Sequence, residues 1–174
     1  STLLDCACGS GEITRQLAEK YEDVQGMDLS PAMIEAAAAK DTDHKVTWST
    51  GDMTDLSGFG TFDVITCLCD SVNYLDEAGF VRWLDQAWTH LNPGGYLYFD
   101  MHRQDRIEEF REGYAEAGTF EDGTQVQWLI ESEDNVLYQD FAFYLPDGRT
   151  LQEHHLQYIH DPEFVRQELE KRFT

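Results

Sequence analysis

The stretch LLDCACGSGEI, residues 3–13, constrains the fold of this chain more than any other part of the sequence. A short, mostly apolar run leads into two closely spaced glycines, Gly9 and Gly11, and a helix-like segment follows. Such a run is typical of a strand buried within a parallel sheet. Glycines at the junction let the backbone turn sharply and approach a ligand, toward which the first N–H groups of the helix point. The stretch therefore predicts a strand, a ligand-binding turn and a helix.

Strand-like and helix-like segments continue to alternate over the first hundred residues. The strand-like runs are TLLDCA, VQGMDL, KVTWST, FDVITCLC and YLYFDMH, and the helix-like runs are EITRQLAEK, SPAMIEAAAAK and DEAGFVRWLDQAWTHL. Ser30 followed by Pro31 is typical of a helix start, and NPGG at residues 92–95 is expected to end the third helix. The alternation predicts an α/β, Rossmann-like fold with a doubly wound parallel sheet, whose ligand lies at the carboxyl ends of the strands.

The pattern changes after residue 103. QDRIEEFREG is predicted as a short helix, TQVQWLIESED, NVLYQDFAFYLPDG and TLQEHHLQYIH as antiparallel strands, and DPEFVRQELEKRF as a final helix. We therefore predict three segments. Residues 1–103 form the ligand-binding core, residues 104–160 form a helix and an antiparallel β insertion that covers the substrate site, and residues 161–174 form a return helix of the core.

The charge balance limits the partners of this chain. It has 34 acidic and 12 basic residues and a formal net charge of −22. A surface this acidic repels nucleic-acid phosphates and anionic membranes, so neither is an expected partner. The sequence shows no signal peptide and no apolar run long enough to span a membrane. We expect a cytoplasmic protein, a monomer or a homodimer, that acts on a small molecule.

The second predicted strand ends at Asp28, 17 residues after Gly11. This is close to the spacing at which a carboxylate binds the two hydroxyls of a ribose. A dinucleotide fingerprint would place a third glycine at position 14, which is Thr14 here. The loop therefore favours a nucleoside ligand without a pyrophosphate. A nucleotide-dependent oxidoreductase, which shares the strand, the turn and the acid, stays an alternative.

LLDCACGSG resembles motif I of the class I S-adenosylmethionine-dependent methyltransferases, a hydrophobic pair followed by D-x-G-C-G-x-G, with Ala7 in place of the first glycine. GMDLSPAMIEAA, GDMTDL, FDVITCLCDSVNYL and LNPGGYLYFD resemble the further motifs of that family over residues 2 to about 102. CDSVNYL followed by FDMHR also resembles a subgroup of small bacterial methyltransferases of undefined substrate. The resemblance implies the strand order 3-2-1-4-5 with an antiparallel insertion after strand 5. Because family members usually have helices before motif I and a strand pair after the last helix, we expect these terminal elements to be missing here.

The resemblance also implies S-adenosylmethionine as the cofactor and methylation of a small molecule as the function. Asp28 would bind the ribose, with Leu29 and Met33 against the adenine. Asp52 would meet the adenine amino group, with Met53 beside the ring. The other implied cofactor contacts, at the methionine end and the sulfonium, are Asp5, Ala7, Cys8, Gly9, Gly11, Leu68 and Cys69. A non-catalytic S-adenosylmethionine-binding protein stays a second alternative.

Candidates for the substrate side follow the ends of the fourth and fifth predicted strands: Asp70, Ser71, Asn73, Tyr74 and His102. We predict catalytic roles for His102, Tyr74 and Asp70. His102 would act as a general base, or is simply hydrogen-bonded. Asp70 would hold a cationic or hydroxyl-bearing substrate, or cap the next turn. Tyr74 would cover the methyl channel, or pack against the core.

All four cysteines fall in two C-x-C pairs, Cys6 with Cys8 and Cys67 with Cys69. The strands that carry them are neighbours in the predicted sheet, and four thiolates can bind zinc tetrahedrally. However, structural zinc sites more often use C-x2-C spacing, and a strand sends alternate side chains to opposite faces. Because buried cysteine is a good small apolar residue, we predict cysteines that fill space and no metal.

Overall fold

The computed structural model describes residues 1–173 of the 174-residue chain. The strands are β1 (Thr2–Cys6), β2 (Asp23–Asp28), β3 (Val46–Thr50), β4 (Phe62–Cys67), β5 (Leu91–Phe99), β6 (Tyr114–Thr119), β7 (Gln125–Glu133), β8 (Val136–Tyr144) and β9 (Thr150–Tyr158). The helices are α1 (Glu12–Leu17), α2 (Pro31–Lys40), α3 (Glu77–His90), α4 (Asp105–Glu109) and α5 (Pro162–Glu170), and a 3₁₀ turn spans Ser71–Tyr74. The chain forms two compact units, one that joins Ser1–Met101 to the segment beginning at Glu163, and one of His102–Pro162. None of the helices in this described part of the chain is long and apolar enough to cross a membrane.

The first unit contains a five-stranded parallel sheet in the order β3-β2-β1-β4-β5. The doubly wound α/β class and the strand order implied by the resemblance are confirmed. The register aligns the strand ends, because Cys6 is level with both Met27 and Cys67, and Cys67 is level with Phe99. The last residues of the five strands therefore share one edge of the sheet, the carboxyl edge, where the sequence predicts the ligand.

Helices cover both faces of this sheet. Leu3 lies in a cluster on one face with Leu17 of α1 packed against it. The next residue, Leu4, points to the opposite face and shares a larger cluster with Trp83 of α3 and Val165 of α5. Burying one large apolar side chain contributes about 1.5–3 kcal/mol, so the two clusters hold the strands in register from both sides.

The fifth strand begins earlier than predicted. Helix α3 ends at His90 and β5 starts at Leu91, so NPGG lies within the strand and not before it. Leu91 already pairs with Phe62, and an irregularity in the ladder follows this pair. A Cβ at Gly95 would lie 2.8 Å from the carbonyl oxygen of Asp63, so only glycine lets the two backbones approach this closely. Residues that read as a helix terminator therefore also shape an edge strand.

The second unit is built on a four-stranded antiparallel sheet in the order β6-β7-β8-β9. The antiparallel insertion after the fifth strand is confirmed, and α4 lies within the predicted short helix. Strand β6 is missing from the prediction. Its sequence, YAEAGT, is poor in β-branched residues, and all six residues are exposed. It pairs with β7 alone, so backbone pairing and not burial defines it.

This unit has a small core of its own, made of Phe110, Ile130, Leu137 and Ile159. One face of its sheet carries a row of stacked rings. Trp128 stacks on Phe141 with the ring centroids 6.1 Å apart, and Phe141 stacks on Phe143 at the same distance. We refer to the face that bears Trp128, Phe141 and Phe143 as the aromatic face.

Candidate active site

The turn after β1 contains three residues in left-handed backbone. The angle φ is +55° at Ala7, +55° at Gly9 and +76° at Gly11. The N–H of Cys8 donates to the carbonyl oxygen of Met27 at 2.9 Å, and the N–H of Gly11 donates to the carbonyl oxygen of Cys8 at 3.0 Å. These bonds tie the turn to the end of β2 and so fix its place at the carboxyl edge.

The two glycines of this turn serve different purposes. No atom lies within 4 Å of the position that a Cβ would take at Gly9, so this stretch of backbone is open to a ligand. A Cβ at Gly11 would lie 2.4 Å from Cη2 of Trp48 and 2.9 Å from Cβ of Ala37. The sequence predicts a close approach to a ligand at both glycines, but Gly11 makes room for a packed indole.

Ala7 occupies a position whose backbone favours glycine. An alanine in left-handed backbone costs about 1–2 kcal/mol, while the extra freedom of glycine in the unfolded chain costs about 0.4–1 kcal/mol. We therefore expect Ala7→Gly to raise the free energy of unfolding by up to about 1 kcal/mol, measured by urea denaturation. Ala36→Gly, in the middle of α2, is the matched control and should lower it by a similar amount. A loss of stability in Ala7→Gly would contradict the strain at this position.

Asp28 ends β2 and links the turn to the next helix. Its Oδ2 accepts the N–H of Gly9 at 2.8 Å, and its Oδ1 accepts the N–H of Ser30 at 2.9 Å. A carboxylate has about four lone-pair sites, so about two stay available for the hydroxyls of a ribose. These contacts fit the predicted role of Asp28, and they also orient the open backbone at Gly9.

Two apolar side chains lie exposed close to Asp28 in the sequence. Leu29 is 72% exposed and Met33 is 44% exposed. Ser30 caps α2 as predicted, since its hydroxyl oxygen accepts the N–H of Met33 at 3.3 Å. Exposed apolar groups beside a polar anchor are typical of a ligand site, and they fit the predicted contact with a flat adenine ring.

Asp5 is buried inside the sheet and is only 3% exposed. Its Oδ2 accepts the hydroxyl of Thr14 at 2.6 Å, and its Oδ1 accepts the hydroxyl of Thr66 at 2.7 Å. Burial raises the pKa of the Asp5 carboxyl, although the two hydroxyls lower it in part. The carboxyl group therefore connects β1 with α1 and β4. In the sequence, Thr14 stands out only because it replaces a glycine, and no local pattern predicts its bond to Asp5.

Because burial raises the pKa of Asp5, the stability due to this group is greatest below its unfolded pKa of about 3.9 and declines as the pH rises through the folded pKa. Asp5→Asn keeps the shape but cannot ionise. We therefore expect the free energy of unfolding of Asp5→Asn, measured by urea denaturation, to rise relative to that of the original protein as the pH increases from 4 to 7. Asp5→Ala should be less stable at every pH, because it leaves Thr14 and Thr66 without their acceptor. If the free energy of unfolding of Asp5→Asn differed from that of the original protein by the same amount at every pH, the raised pKa of Asp5 would be contradicted.

The loop after β3 places its two predicted residues differently. Asp52 is exposed, and its Oδ1 accepts the backbone N–H and the hydroxyl of Thr54 at 2.9 Å and 2.8 Å. Met53 is buried within the larger core cluster. Asp52 thus shapes its own turn while it stays open to solvent, and Met53 contributes mainly to the core. Their contacts with the adenine remain predictions.

The loop after β4 contains two successive residues in left-handed backbone, Cys69 at φ +60° and Asp70 at φ +58°. Non-glycine residues in this region cost about 1–2 kcal/mol each, and they concentrate at functional sites. Asp100 holds both, because the N–H of Cys69 donates to its Oδ2 at 3.1 Å and the N–H of Asp70 donates to its Oδ1 at 2.7 Å. Asp100 is not among the predicted site residues, although its place directly after β5 at the carboxyl edge is a signal for it.

The other substrate-side candidates differ in exposure. Asn73 is fully buried, Tyr74 is about half exposed, and the Ser71 hydroxyl donates to a carbonyl oxygen of the same loop at 2.7 Å. Asp70 makes no side-chain capping bond to the 3₁₀ turn that it precedes, so the alternative of a simple cap does not hold. His102 belongs to the second unit, where its Nε2 lies 2.8 Å from Oε1 of Gln157.

The cysteines are buried or half-buried thiols, apart from the exposed Cys69. Cys6 and Cys67 lie level with each other in β1 and β4. Burial raises the pKa of Cys6 to about 12 and that of Cys8 to about 12, so both are protonated thiols near neutral pH. Within residues 1–173, no three His, Cys, Asp or Glu side chains are grouped as a metal site.

Comparisons with known proteins agree with this geometry. A family described as a methyltransferase domain matches residues 3–95. YqeM of Bacillus subtilis (strain 168) is 33% identical over 152 residues, which cover 85% of this chain and 62% of YqeM. The dTDP-3-amino-3,6-dideoxy-alpha-D-glucopyranose N,N-dimethyltransferase of Streptomyces fradiae is 31% identical over 181 residues, which cover 100% of this chain and 68% of that protein.

Solved structures share the fold. An S-adenosylmethionine-dependent methyltransferase from Clostridium acetobutylicum ATCC 824 superimposes with a TM-score of 0.87 at 24% identity, covering 97% of this chain and 71% of that one. This chain spans only 62% of YqeM and 42% of a relative from Geobacillus sp. (strain WCH70). The resemblance drawn from motif I and the later motifs is confirmed. The chain belongs to the class I S-adenosylmethionine-dependent methyltransferases, in the family described as a methyltransferase domain.

Proposed function

We propose that this protein binds S-adenosylmethionine at the carboxyl edge of its parallel sheet and transfers the methyl group to a small-molecule acceptor. The observation that carries the proposal is the bond of 2.8 Å from the N–H of Gly9 to Asp28. It joins an open glycine backbone to a carboxylate with spare lone pairs. The two parts together fit a nucleoside that has no phosphate to bind.

Each side chain of the carboxyl edge then has a definite task. Asp28 binds the ribose, while Leu29 and Met33 flank the adenine. The backbone of residues 7–11 and the loop at residues 68–70 hold the methionine end and border the sulfonium. Asp5 is a positioning residue, because its carboxylate oxygens are engaged by the hydroxyls of two threonines. These bonds connect β1 with α1 and β4, and we propose that Asp5 supports the methionine end of the cofactor from there.

Methyl transfer from a sulfonium is an in-line displacement, so the protein mainly has to align the acceptor and exclude water. We propose that Asp70 orients the acceptor, that Tyr74 covers the methyl channel and that His102 takes up the proton which the acceptor loses. Asp100 keeps Asp70 in place through the 2.7 Å bond from the Asp70 N–H.

We further propose that the acceptor atom is an amine nitrogen. The Streptomyces fradiae relative, which matches over the whole of this chain, is named as an N,N-dimethyltransferase of an amino sugar nucleotide. A net charge of −22 also favours neutral or cationic acceptors over anionic ones. An amine must lose a proton before or after it attacks, which gives a base such as His102 a task.

Radiolabel transfer tests this proposal. The protein is incubated with methyl-labelled S-adenosylmethionine and pairs of small molecules that differ only in an amino or a hydroxyl group. We expect label in the amines and little label in the alcohols. Transfer to alcohols alone would contradict the acceptor proposal. Binding of S-adenosylmethionine with no transfer to any compound would favour the alternative of a non-catalytic binding protein.

The setting of the activity is also a proposal. We expect the protein to work in the cytoplasm, as a monomer or a homodimer, without a nucleic-acid or membrane partner. The acidic composition supports the last two points, because phosphate groups and anionic lipids are repelled. Light scattering and fractionation of cells would test the oligomeric state and the location.

A further inference from the structure

A chain of hydrogen bonds runs across the second unit from an indole to His102. The Nε1–H of Trp128 donates to Oε1 of Gln139 at 3.1 Å. The Nε2–H of Gln139 donates to Oε1 of Gln157 at 2.8 Å. The same Oε1 of Gln157 lies 2.8 Å from Nε2 of His102. Hydrogen bonds thus connect four side chains of one unit, one after another.

The strand register explains why these side chains meet. In the ladder of β7 and β8, Gln139 pairs with Ile130, so Trp128 is its diagonal neighbour on the aromatic face. In the ladder of β8 and β9, Gln157 pairs with Leu137, so it is the diagonal neighbour of Gln139 on that same face. Diagonal neighbours lie within reach of long side chains. Gln157 is only 3% exposed, so water does not compete freely for its amide.

The orientation of every group in this series of hydrogen bonds follows from its first member, the indole of Trp128. An indole N–H can only donate, so the atom of Gln139 that faces Trp128 must be its oxygen. The NH2 group of Gln139 must then face Gln157 and meet the oxygen of that amide. An amide oxygen has two lone pairs and can only accept, so the ring nitrogen of His102 that meets it must donate.

We infer that Trp128, through Gln139 and Gln157, fixes the proton of His102 on Nε2, so that His102 takes up and releases protons only at Nδ1. The three residues are positioning residues, since none of them needs to touch the acceptor. The tautomer of a histidine is commonly set by the hydrogen bond of one ring nitrogen, which decides which nitrogen can act as the base. The inference deepens the proposed function, because it rests on His102 as the base of that site.

The chemical step balances with this assignment. The acceptor nitrogen forms a bond to the methyl carbon as the sulfur–carbon bond breaks and its electron pair returns to sulfur. The acceptor N–H bond breaks and an Nδ1–H bond forms on His102, whose ring becomes an imidazolium. The Nε2–H bond to Gln157 is kept throughout, because the neutral ring and the imidazolium can both donate it. The three positioning residues therefore need not reorient during the reaction.

Nitrogen NMR of the ¹⁵N-histidine-labelled full chain tests this inference without an activity assay. Resonances of His102 are assigned by their loss in His102→Gln. We expect neutral His102 to show an N–H nitrogen at Nε2 and a bare nitrogen at Nδ1, and the Nδ1 resonance to move most when the ring is protonated. A neutral ring protonated at Nδ1 would overturn the inference.

Variants of the protein distinguish an effect on the orientation of the amides and of His102 from a general effect on folding. Trp128→Phe keeps an aromatic ring against Phe141 but removes the donor, so both amides can rotate and we expect a measurable Nδ1–H population. Adding Gln139→Glu to Trp128→Phe supplies a side chain that can only accept, so Gln157 must turn its NH2 group toward it and toward Nε2 of His102. We therefore expect this double variant to hold His102 mainly in the Nδ1–H form. Trp88→Phe, on α3, is the matched control and should change nothing.

The outcomes of this test are distinct from those of the proposed function. An unchanged tautomer in Trp128→Phe would overturn the inference, as would a double variant with Gln139→Glu in which His102 stays in the Nε2–H form. Neither result bears on binding of S-adenosylmethionine. Conversely, a protein that transfers no methyl group leaves the tautomer of His102 measurable, so the two proposals fail in different experiments.

Discussion

Replacing Gly11 with alanine is expected to lower the free energy of unfolding by about 2–5 kcal/mol. The added Cβ would lie 2.4 Å from Trp48 and 2.9 Å from Ala37, and overpacking of this kind costs about 1–3 kcal/mol. The left-handed backbone, at φ +76°, adds about 1–2 kcal/mol for any L-residue with a side chain. Since domains are stable by only about 5–15 kcal/mol, urea denaturation should show the loss clearly.

Gly9→Ala is the matched control for this change. Its backbone is strained in the same way, but nothing lies within 4 Å of the added methyl group. We expect a loss of only about 1–2 kcal/mol in stability, together with weaker binding of S-adenosylmethionine, because the methyl group enters the space proposed for the ligand. In a Trp48→Leu background, Gly11→Ala should cost less than it does alone, because only the contact with Ala37 and the left-handed backbone remain unfavourable. An equal cost in both backgrounds would contradict the contact with Trp48 as its cause.

Replacing Asp28 with alanine is expected to weaken the binding of S-adenosylmethionine roughly 10- to 150-fold. A hydrogen bond to a charged group contributes about 1.5–3 kcal/mol, and Asp28 would make such bonds to the ribose. The change also removes the acceptor of the Gly9 N–H at 2.8 Å, so the open backbone loses its support. Isothermal titration calorimetry measures the effect directly.

Asp23→Ala is the control for this experiment, because Asp23 begins the same strand at the far end from the carboxyl edge. It should leave the affinity for S-adenosylmethionine unchanged. A thermal melt of Asp28→Ala separates lost contacts from lost structure, since a folded variant with weak binding has lost the ligand contacts. Unchanged affinity in a folded Asp28→Ala would refute the role of Asp28 at the ribose.

The fold of the first unit could be predicted almost completely from the sequence. The signals are local: apolar strands, capped helices and the order of the motifs. They are sufficient to predict a parallel sheet. The errors arise where pairing overrides local preference. NPGG reads as a terminator, yet Leu91 pairs with Phe62 and the NPGG residues that follow it become part of β5. Strand β6 has no hydrophobic alternation at all, and only its partner β7 reveals it.

The candidate site was predictable to a smaller extent. The chemistry of Asp28 follows from its spacing to the glycine turn, because a strand end has a known place in this fold. The role of Gly11 does not, because Trp48 is 37 residues away in sequence and its contact arises only on packing. The bond of Asp5 to Thr14 and the bonds to Asp100 likewise join residues that no local pattern connects.

Titration of the full chain with S-adenosylmethionine, and separately with a nicotinamide dinucleotide, tests the central claim most directly. We predict that each chain binds one molecule of S-adenosylmethionine with a dissociation constant in the micromolar range or lower. This follows from the open turn at Gly9, the carboxylate of Asp28, and Thr14 in place of a third glycine. They also predict no binding of the dinucleotide. Binding of the dinucleotide with no binding of S-adenosylmethionine would contradict the account.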